Sequence, residues 1–235
     1  MRLLEHLADA GGSMRLAELE AVAGLPLPTI HRLLRSLASN GYVQQEPSKR
    51  YALGPRLIRL GETAGRAWGA WATPRLAELV TQFGETANMA ILEGDSIVYV
   101  VQAPSPHSMR MFTEVGRRLP AHSTGVGKAL LSQLTDEQVT GLLARTGMPV
   151  QTPHTLTDPR ALLDQLSQVR ARGWAVDDAE QELGVRCVAA PIPTRSARAA
   201  LSVSGPSGRL TSDRADQIGP VLARTAQQLA ADLPG

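Results

Sequence analysis

The chain has 235 residues, of which 43% are hydrophobic and 20% are charged, and its formal net charge is +2. These values are typical of a folded globular protein with one large domain or two modest ones. The single cysteine excludes an internal disulfide bond and a four-cysteine zinc site, and no run approaches the roughly 18 to 20 apolar residues of a membrane span. Because the N-terminus also lacks the pattern of a signal peptide, we expect a cytoplasmic protein with no membrane partner.

Two short amphipathic helices are predicted at the N-terminus, over residues 1–10 and 15–23. The first ends at Gly11-Gly12 and the second at Gly24. The first helix begins inside its own apolar pattern, without a capping residue. We therefore expect that a few residues are missing before Met1 or that the start codon is assigned too late.

The stretch from Leu25 to Gly41 predicts a third helix, from Pro28 to Ser39. Its apolar residues recur on one side, at the spacing of a helix docked on a core: Ile30, Leu33, Leu34 and Leu37. Pro28 suits the first helical turn, and Asn40-Gly41 supplies a left-handed stop. The opposite face carries only basic groups and hydrogen-bond donors: His31, Arg32, Arg35, Ser36 and Ser39.

This polar face suits phosphates and base edges, although the same pattern occurs on ordinary surface helices with solvated arginines. Strand-like runs over 42–46 and 51–53 follow it, joined by the basic tip Lys49-Arg50. A helix-turn-helix followed by a basic hairpin predicts a winged helix-turn-helix DNA-binding domain over residues 1–54. The predicted DNA contacts are Pro28, Thr29, His31, Arg32, Arg35, Ser36, Lys49 and Arg50.

A linker helix is predicted over residues 55–72, with a glycine at every fourth position from 61 to 69. Small residues at this spacing permit the close approach of a partner helix, so we expect a dimer contact that Trp68 and Trp71 anchor. Pro74 is predicted to open a separate helix.

Residues 73–235 predict an α+β domain in which helices flank a sheet. The predicted strands cover residues 85–93, 96–102, 108–112, 174–176, 185–192 and 198–204. The predicted helices begin at Pro74, near Thr124 and at 136, 159 and 212. The first two strands form an antiparallel hairpin around Gly94-Asp95.

Three stretches hold the unusual chemistry of this domain: 120–129, 177–187 and 202–206. The first contains a glycine-rich turn but lacks the first glycine and the final Ser or Thr of a Walker A loop, so nucleotide hydrolysis is rejected. Several groups could meet on one small ligand, namely the N–H groups of Gly125 and Val126, the hydroxyls of Ser202 and Ser204, the Cys187 thiol and one carboxylate. Alternatively, the serines lie on a solvated strand face and the cysteine is a small core residue.

Two other hypotheses use residues of the same stretches. Cys187, His122 and Asp177 have the residue types of a thiol nucleophile, its base and an orienting acid, but their spacing is not diagnostic of an enzyme. The same residues have suitable types for a zinc site, without the paired spacing that supports one. We therefore expect neither a catalytic site nor a cofactor.

Five motifs, in order along essentially the entire chain, resemble the IclR (isocitrate lyase regulator) family of bacterial transcription factors. They are GLPLPTIHRLLRSLASNGYV, YALGPRLIRLG, LPAHSTGVGKALL, GWAVDDAEQELGVRCVAAPI and SVSGP. Within the family, ETANMAILEGDSIVYVVQAPS, HSMRMFTEVGRR and DDAEQELGVRC are most similar to regulators of allantoin and glyoxylate metabolism.

The resemblance implies a winged helix, a linker helix through which dimers form, and a GAF-like effector-binding domain with a central antiparallel sheet, often in tetramers. It also implies a ligand pocket at the positions that match relatives binding glyoxylate or pyruvate. Those positions are Leu119, Gly125, Val126, Asp177, Val185, Cys187, Ser202 and Ser204.

The predicted function is repression by a homodimer or homotetramer whose binding to operator DNA is controlled by a small metabolite. Glyoxylate, another 2-oxo acid and a ureide such as allantoin are the candidates, because donors around Gly125 suit an acceptor end and ionised Asp177 needs a donor. The alternative is a small-molecule-processing enzyme with an accessory DNA-binding domain.

Overall fold

The structure is a computed structural model that describes residues 1–111, 114–194 and 198–232, with the backbone alone at Ala67. The chain divides into two compact units, Met1–Arg66 and Ala67–Gly235. Within the described ranges, no helix is both long enough and apolar enough to cross a membrane.

The first unit combines three helices with a three-stranded antiparallel sheet. Its helices are α1 (Arg2–Asp9), α2 (Leu16–Ala23) and α3 (Leu27–Ser39). Its strands are β1 (Ser13–Met14), β2 (Val43–Gln45) and β3 (Tyr51–Leu53), in the order β1-β3-β2. The predicted helices and hairpin are confirmed, whereas β1 has only two residues and is too short to leave an alternating pattern in the sequence.

Helix α3 packs on the core of this unit through Ile30 and Leu34, which are fully buried. Leu37 is half-buried, but Leu33, predicted to lie on the same side, is 39% exposed. Leu33 lies about 60° from Ile30 on an ideal helix, at the margin of the apolar stripe, so the core does not cover it. The helix ends as predicted, because Gly41 has a left-handed backbone with a φ of 73°.

A single helix, α4 (Arg56–Phe83), continues through Pro74. The prediction that a separate helix opens at Pro74 is therefore wrong. A proline removes one N–H donor from a helix, and the carbonyl that loses its partner here belongs to Ala70, which is exposed to water. Ala72 and Leu76 are fully buried on either side of the proline, so packing keeps the helix continuous.

Two tryptophans fix α4 to the second unit of its own chain. Trp68 and Trp71 pack against the core of that unit, with ring centroids 6.3 Å apart. Trp71 Nε1 also donates a hydrogen bond to the backbone oxygen of Leu229 at 3.2 Å. These rings anchor the helix within one chain, and a dimer contact along α4 stays a prediction.

The second unit is built on a six-stranded antiparallel sheet in the order β6-β5-β4-β9-β8-β7. The strands are β4 (Thr86–Glu93), β5 (Ser96–Ala103), β6 (Arg118–Pro120), β7 (Ala175–Asp178), β8 (Val185–Ile192) and β9 (Ala199–Pro206). The helices, besides the end of α4, are α5 (Gly125–Leu131), α6 (Asp136–Thr146), α7 (Pro159–Arg172) and α8 (Ser212–Ala231). The predicted α+β class with an antiparallel sheet is confirmed.

Helices cover both faces of this sheet. One face, with Met89, Leu201 and Val203, packs against α8 and the end of α4. The other face, with Ala90 and Ala200, packs against α5, α6 and α7. The alanines on this second face leave room for α5 to lie close to the sheet, and the polar residues of the candidate site lie there.

One predicted strand is wrong. Residues 108–111 form a loop, Phe112 lies outside the described residues, and the edge strand that pairs with β5 is β6. The backbone oxygens of Met109 and Met111 accept hydrogen bonds from the side chains of Arg209 (2.9 Å) and Thr86 (3.1 Å) instead of from a neighbouring strand.

Candidate DNA-binding face and effector cavity

The polar face of α3 is open to a partner. Thr29 is half-buried. The other predicted DNA contacts on this helix are exposed, namely Pro28, His31, Arg32, Arg35 and Ser36. Neither Arg32 nor Arg35 forms a hydrogen bond or ion pair with any described residue. Two guanidinium groups are therefore available to phosphates or to base edges.

The two cations of the wing have different surroundings. Lys49 is exposed at the tip of the hairpin, with a left-handed φ of 61°. Arg50 is half-buried: its Nε donates to Ser13 Oγ (3.1 Å), and a terminal nitrogen donates to the Ser13 oxygen (2.8 Å) and pairs with Glu18 (3.3 Å). Arg50 thus ties the wing to the start of the helix-turn-helix, while Lys49 is free to bind phosphate.

The second unit contains a cavity of ≈ 70 Å³. One enclosed water needs about 10–15 Å³ by this measure, so the cavity has room for a small molecule. It is lined by Tyr99, Met111, Arg117, Leu119, Thr124, Gly125, Asp177, Gln181, Glu182, Val185, Cys187 and Ser204.

Most of the predicted effector residues meet at this cavity. Leu119, Gly125, Asp177, Val185, Cys187 and Ser204 all line it. Val126 and Ser202 are fully buried and do not line it in the described part of the chain.

The register of the strands brings one polar row to this cavity. Ser204 of β9 pairs with Thr86 of β4 on one side and with Cys187 of β8 on the other, and Cys187 pairs with Asp177 of β7. Residues directly opposite in antiparallel strands point to the same face of the sheet. Four strands therefore contribute side chains to one row.

A second polar row supports the first. Gln102 Nε2 donates to Asn88 Oδ1 at 3.2 Å, and Asn88 Nδ2 donates to Ser204 Oγ at 3.1 Å. Because this hydroxyl already accepts a hydrogen bond, its own proton is available to a ligand. Asn88 and Gln102 were not among the predicted site residues, although the polar Asn88 within the apolar strand TANMAIL was an available signal.

Gly125 lies close to Cys187, so a side chain at position 125 would crowd the cysteine. A Cβ at position 125 would lie 3.0 Å from the sulfur and 3.1 Å from the backbone oxygen of Cys187. Burial and the negative charge of Asp177 raise the pKa of the Cys187 thiol to about 12, against the opposing effect of nearby hydrogen-bond donors. The thiol is therefore a neutral group at physiological pH.

Asp177 is the titratable group of the cavity. Its Oδ1 accepts hydrogen bonds from the backbone nitrogens of Glu180 (2.7 Å) and Gln181 (3.4 Å). Burial, together with the Glu180 charge, raises the pKa of Asp177 to about 7, against the opposing effects of the backbone donors and of Lys128. This carboxyl group therefore changes its charge close to neutral pH.

Six further lining residues were not predicted from the sequence: Tyr99, Met111, Arg117, Thr124, Gln181 and Glu182. Tyr99 is buried, and burial raises the pKa of its hydroxyl. Gln181 Oε1 accepts a hydrogen bond from Ser123 Oγ at 2.7 Å. Arg117 is exposed and, among the described lining residues, is the one cation facing the acidic groups of Asp177 and Glu182.

The structure separates the residues of the enzyme hypothesis. His122 Nε2 lies 3.1 Å from the backbone oxygen of Pro149, and burial lowers the pKa of this imidazole. No hydrogen bond joins His122 to Cys187 within the described chain, and the thiol carries its proton. The described residues also contain no group of three or more His, Cys, Asp and Glu that could hold a metal ion.

A winged helix with exposed arginines on its third helix and a second domain with a small polar cavity define a class: DNA-binding transcriptional regulators with an effector domain. Family models then identify the family. Residues 1–47 match the IclR helix-turn-helix domain, and residues 69–231 match the C-terminal domain of the bacterial transcriptional regulator IclR. The chain belongs to the IclR family, as its motifs predicted.

Individual relatives agree with this assignment. The transcriptional repressor IclR of Escherichia coli K12 is 39% identical and covers 97% of this chain and 86% of its own. The repressor AllR of the same strain is 35% identical, with coverage of 98% and 87%. An IclR transcriptional regulator from Alicyclobacillus acidocaldarius superposes with a TM-score of 0.86 at 27% identity, covering 98% of this chain and 95% of its own. These relatives are named as regulators, so the alternative of an enzyme is rejected.

Proposed function

We propose that this protein represses transcription by binding operator DNA, and that a small metabolite in the cavity of its effector domain controls the binding. The observation that carries the proposal is the convergence of polar groups from β7, β8, β9 and α5 on one small cavity. The recognition helix of the same chain carries two exposed arginines, Arg32 and Arg35, that have no hydrogen-bond or ion-pair partner among the described residues. Two relatives named as repressors, at 35% and 39% identity, support repression rather than activation.

On DNA, a homodimer presents two copies of α3 to successive major grooves of a palindromic operator. Arg32 and Arg35 supply contacts to bases and phosphates, and Lys49 binds a phosphate beside the groove. Arg50 contributes less, because Ser13 and Glu18 already hold its guanidinium group. The dimer forms along α4, and two dimers can associate as a tetramer.

The effector is a small polar metabolite with an acceptor end, and glyoxylate, pyruvate and allantoin are the candidates. Ser204 and Cys187 offer donors to a carbonyl or carboxylate oxygen. Arg117 adds a positive charge that suits a carboxylate. Asp177 donates when it is protonated and accepts when it is ionised, so it can hold the other end of either kind of molecule.

The test is fluorescence anisotropy of the full-length protein on the DNA upstream of its own gene, with glyoxylate, pyruvate and allantoin titrated at fixed salt. We expect tight binding to this DNA, weak binding to a scrambled duplex and release by one of the three compounds. Binding that none of them alters would keep the DNA role and reject this effector class. Equal binding to both duplexes would reject operator recognition.

A pair of neighbouring substitutions tests the cavity itself. Asp177→Ala should abolish the release because it removes a lining group. Asp178→Ala, one residue further on, should leave the release unchanged because that side chain is exposed and pairs with Arg186 at 2.6 Å. An equal response of both variants would reject the cavity as the effector site.

A further inference from the structure

A buried carboxylate lies directly after the C-terminal end of α4. Glu85 is only 1% exposed, and both of its oxygens accept hydrogen bonds from Arg209: Oε1 from Nε at 2.6 Å and Oε2 from a terminal nitrogen at 2.8 Å. This bidentate geometry fixes the orientation of the guanidinium plane as well as its distance. We call this pair the Glu85–Arg209 joint.

The joint holds the loop that reaches the cavity. The terminal nitrogen of Arg209 that binds Glu85 also donates to the backbone oxygen of Met109 at 2.9 Å. Two residues further on, the backbone oxygen of Met111 accepts a hydrogen bond from Thr86 Oγ1 at 3.1 Å, and Met111 lines the cavity. Any ligand that displaces Met111 therefore acts on a segment fastened next to Glu85.

The same joint is fastened to the helix. Arg214 donates to the backbone oxygen of Arg209 at 3.0 Å and to that of Phe83, the last residue of α4, at 2.9 Å. Ser105 Oγ, at the start of the loop, donates to the backbone oxygen of Gly84 at 2.6 Å. The last turn of α4 and the loop are thus connected through consecutive hydrogen bonds.

The strand that carries Ser204 completes the arrangement. Its next residue, Gly205, lies so close to Glu85 that a Cβ there would be 2.5 Å from Oε2. The carboxylate is therefore confined between the backbone of β9 and the guanidinium group of Arg209. Ser204 and Met111 both line the cavity, and each lies within two residues of a contact to the Glu85–Arg209 joint.

We propose that the Glu85–Arg209 joint transmits the occupied state of the cavity to the end of α4, so that both residues are positioning residues for the effector response. The inference rests on the proposed function, because it assumes that the cavity binds an effector that alters DNA binding. Neither Glu85 nor Arg209 is among the described residues that line the cavity, and both belong to the second unit. Their removal should therefore separate effector binding from its consequence for DNA.

The experiment compares Arg209→Gln with Arg145→Gln in the full-length protein. Arg145 is a matched control, because it forms a bidentate pair with Asp95 (2.7 and 2.9 Å) on the exposed surface of the same domain. Calorimetry measures the Kd of glyoxylate, pyruvate and allantoin. Anisotropy measures the operator Kd without each compound and at its saturating concentration.

We expect the two arginine variants to keep the effector Kd and the effector-free operator Kd within about threefold of wild type. The wild type and Arg145→Gln should show a change of about 5- to 150-fold in operator Kd at saturation, the usual range of allosteric coupling. In Arg209→Gln this change should fall below about twofold. A merely structural role would instead weaken effector-free DNA binding or effector binding.

The outcomes separate the two hypotheses. A wild type that responds to a compound, together with an Arg209→Gln variant that responds equally, would overturn the joint and keep the proposed function. A wild type that binds the operator but responds to none of the three compounds would reject the proposed effector class and the joint, and would keep the DNA-binding role.

A second variant keeps the test decisive if Arg209→Gln folds poorly. Arg209→Lys retains the charge but cannot make the two parallel hydrogen bonds, so we expect a folded protein with a reduced response. Hydrogen exchange of the wild type provides an independent check: a responding compound should change the exchange of amides in residues 105–111 and 79–85 together. A change in the first segment alone would contradict the joint.

Discussion

Lys128 forms an ion pair with Glu180 in the interior of the effector domain, across 52 residues of sequence. The lysine is fully buried, and its Nζ also donates to Gln165 Oε1 (2.8 Å) and to the backbone oxygen of Val176 (3.3 Å). One side chain of α5 thus binds α7 and residues on both sides of Asp177, namely Val176 and Glu180. A polar cluster under the cavity therefore fixes the position of its titratable group.

Lys128→Met should destabilise the effector domain by about 3–5 kcal/mol, because it leaves the Glu180 charge buried and unpaired. Urea denaturation followed by tryptophan fluorescence measures this loss in the correct domain, since all three tryptophans belong to the second unit. The double variant Lys128→Met/Glu180→Leu should recover most of the lost stability, because no charge is then buried.

Lys49→Met is the matched control for this prediction. Lys49 is exposed on the wing, so the same substitution should change the free energy of unfolding by less than about 0.5 kcal/mol. If Lys128→Met unfolds at the same urea concentration as wild type, the buried pair does not stabilise the effector domain.

The raised pKa of Asp177 predicts a stability that falls as pH rises. The unfolded carboxyl group loses its proton near pH 4, whereas the folded one keeps it up to about pH 7. Between these values the folded state binds the extra proton, so the free energy of unfolding decreases with pH and levels off above about pH 8. The side chain of Asp177→Asn cannot titrate. The free energy of unfolding of this variant minus that of wild type should therefore increase between about pH 4 and pH 7, as measured by urea denaturation at several pH values. A constant difference would contradict the raised pKa.

The same titration should separate the two classes of effector. Glyoxylate or pyruvate brings a carboxylate, which ionised Asp177 repels, so their affinity should fall by up to about tenfold per unit above pH 7. Allantoin offers neutral donors, so its affinity should rise instead. Calorimetry at pH 6, 7 and 8 measures the sign, and Asp177→Asn should remove the dependence. Cys187 and Tyr99 do not titrate in this interval because burial raises the pKa of both.

Elements with strong local patterns were predictable from the sequence. The bounds of β8 and α8 match the predicted ranges 185–192 and 212–231, because their apolar spacing and turn residues agree. Pro74 was misjudged because its local preference for a helix start was outweighed by the packing of Ala72 and Leu76. The strand predicted at 108–112 failed because the side chains of Arg209 and Thr86 bind the loop backbone.

The composition of the site was less predictable than its location. The motif around Cys187 indicated a pocket, but the pairing of Asn88 with Ser204 depends on strand register across 116 residues. The ion pair of Lys128 with Glu180 likewise joins residues that are 52 positions apart in the sequence. Such contacts follow from tertiary packing, so neither periodicity nor spacing could reveal them.

The buried thiol predicts slow chemistry at Cys187. With a pKa of about 12, on the order of one thiol in ten thousand is ionised at pH 8, and the side chain is buried as well. A thiol-specific disulfide reagent should therefore react with the native protein far more slowly than with the protein in urea, where one thiol per chain should be found. Cys187→Ser provides the blank. Equally fast reaction of the native protein would show an accessible thiolate.

Arg35→Ala and Lys49→Ala should weaken DNA binding in different ways. Loss of a base contact at Arg35 should cost about 1–3 kcal/mol on the operator and much less on a scrambled duplex. Loss of a phosphate contact at Lys49 should weaken both duplexes alike and reduce the slope of log K against log salt by about one. Anisotropy at three salt concentrations measures both quantities. An equal loss on both duplexes for Arg35→Ala would reassign that residue to phosphate.

Arg50→Ala should behave unlike Lys49→Ala although the two residues are adjacent. Its guanidinium group binds Ser13 and Glu18, so its removal should lower the melting temperature of the first unit, which circular dichroism detects. The salt slope of operator binding should stay at the wild-type value because no phosphate contact is lost. A slope reduced by about one, with unchanged melting, would mean that Arg50 leaves Ser13 and binds phosphate on DNA. In that case the wing would contribute two cations to the complex.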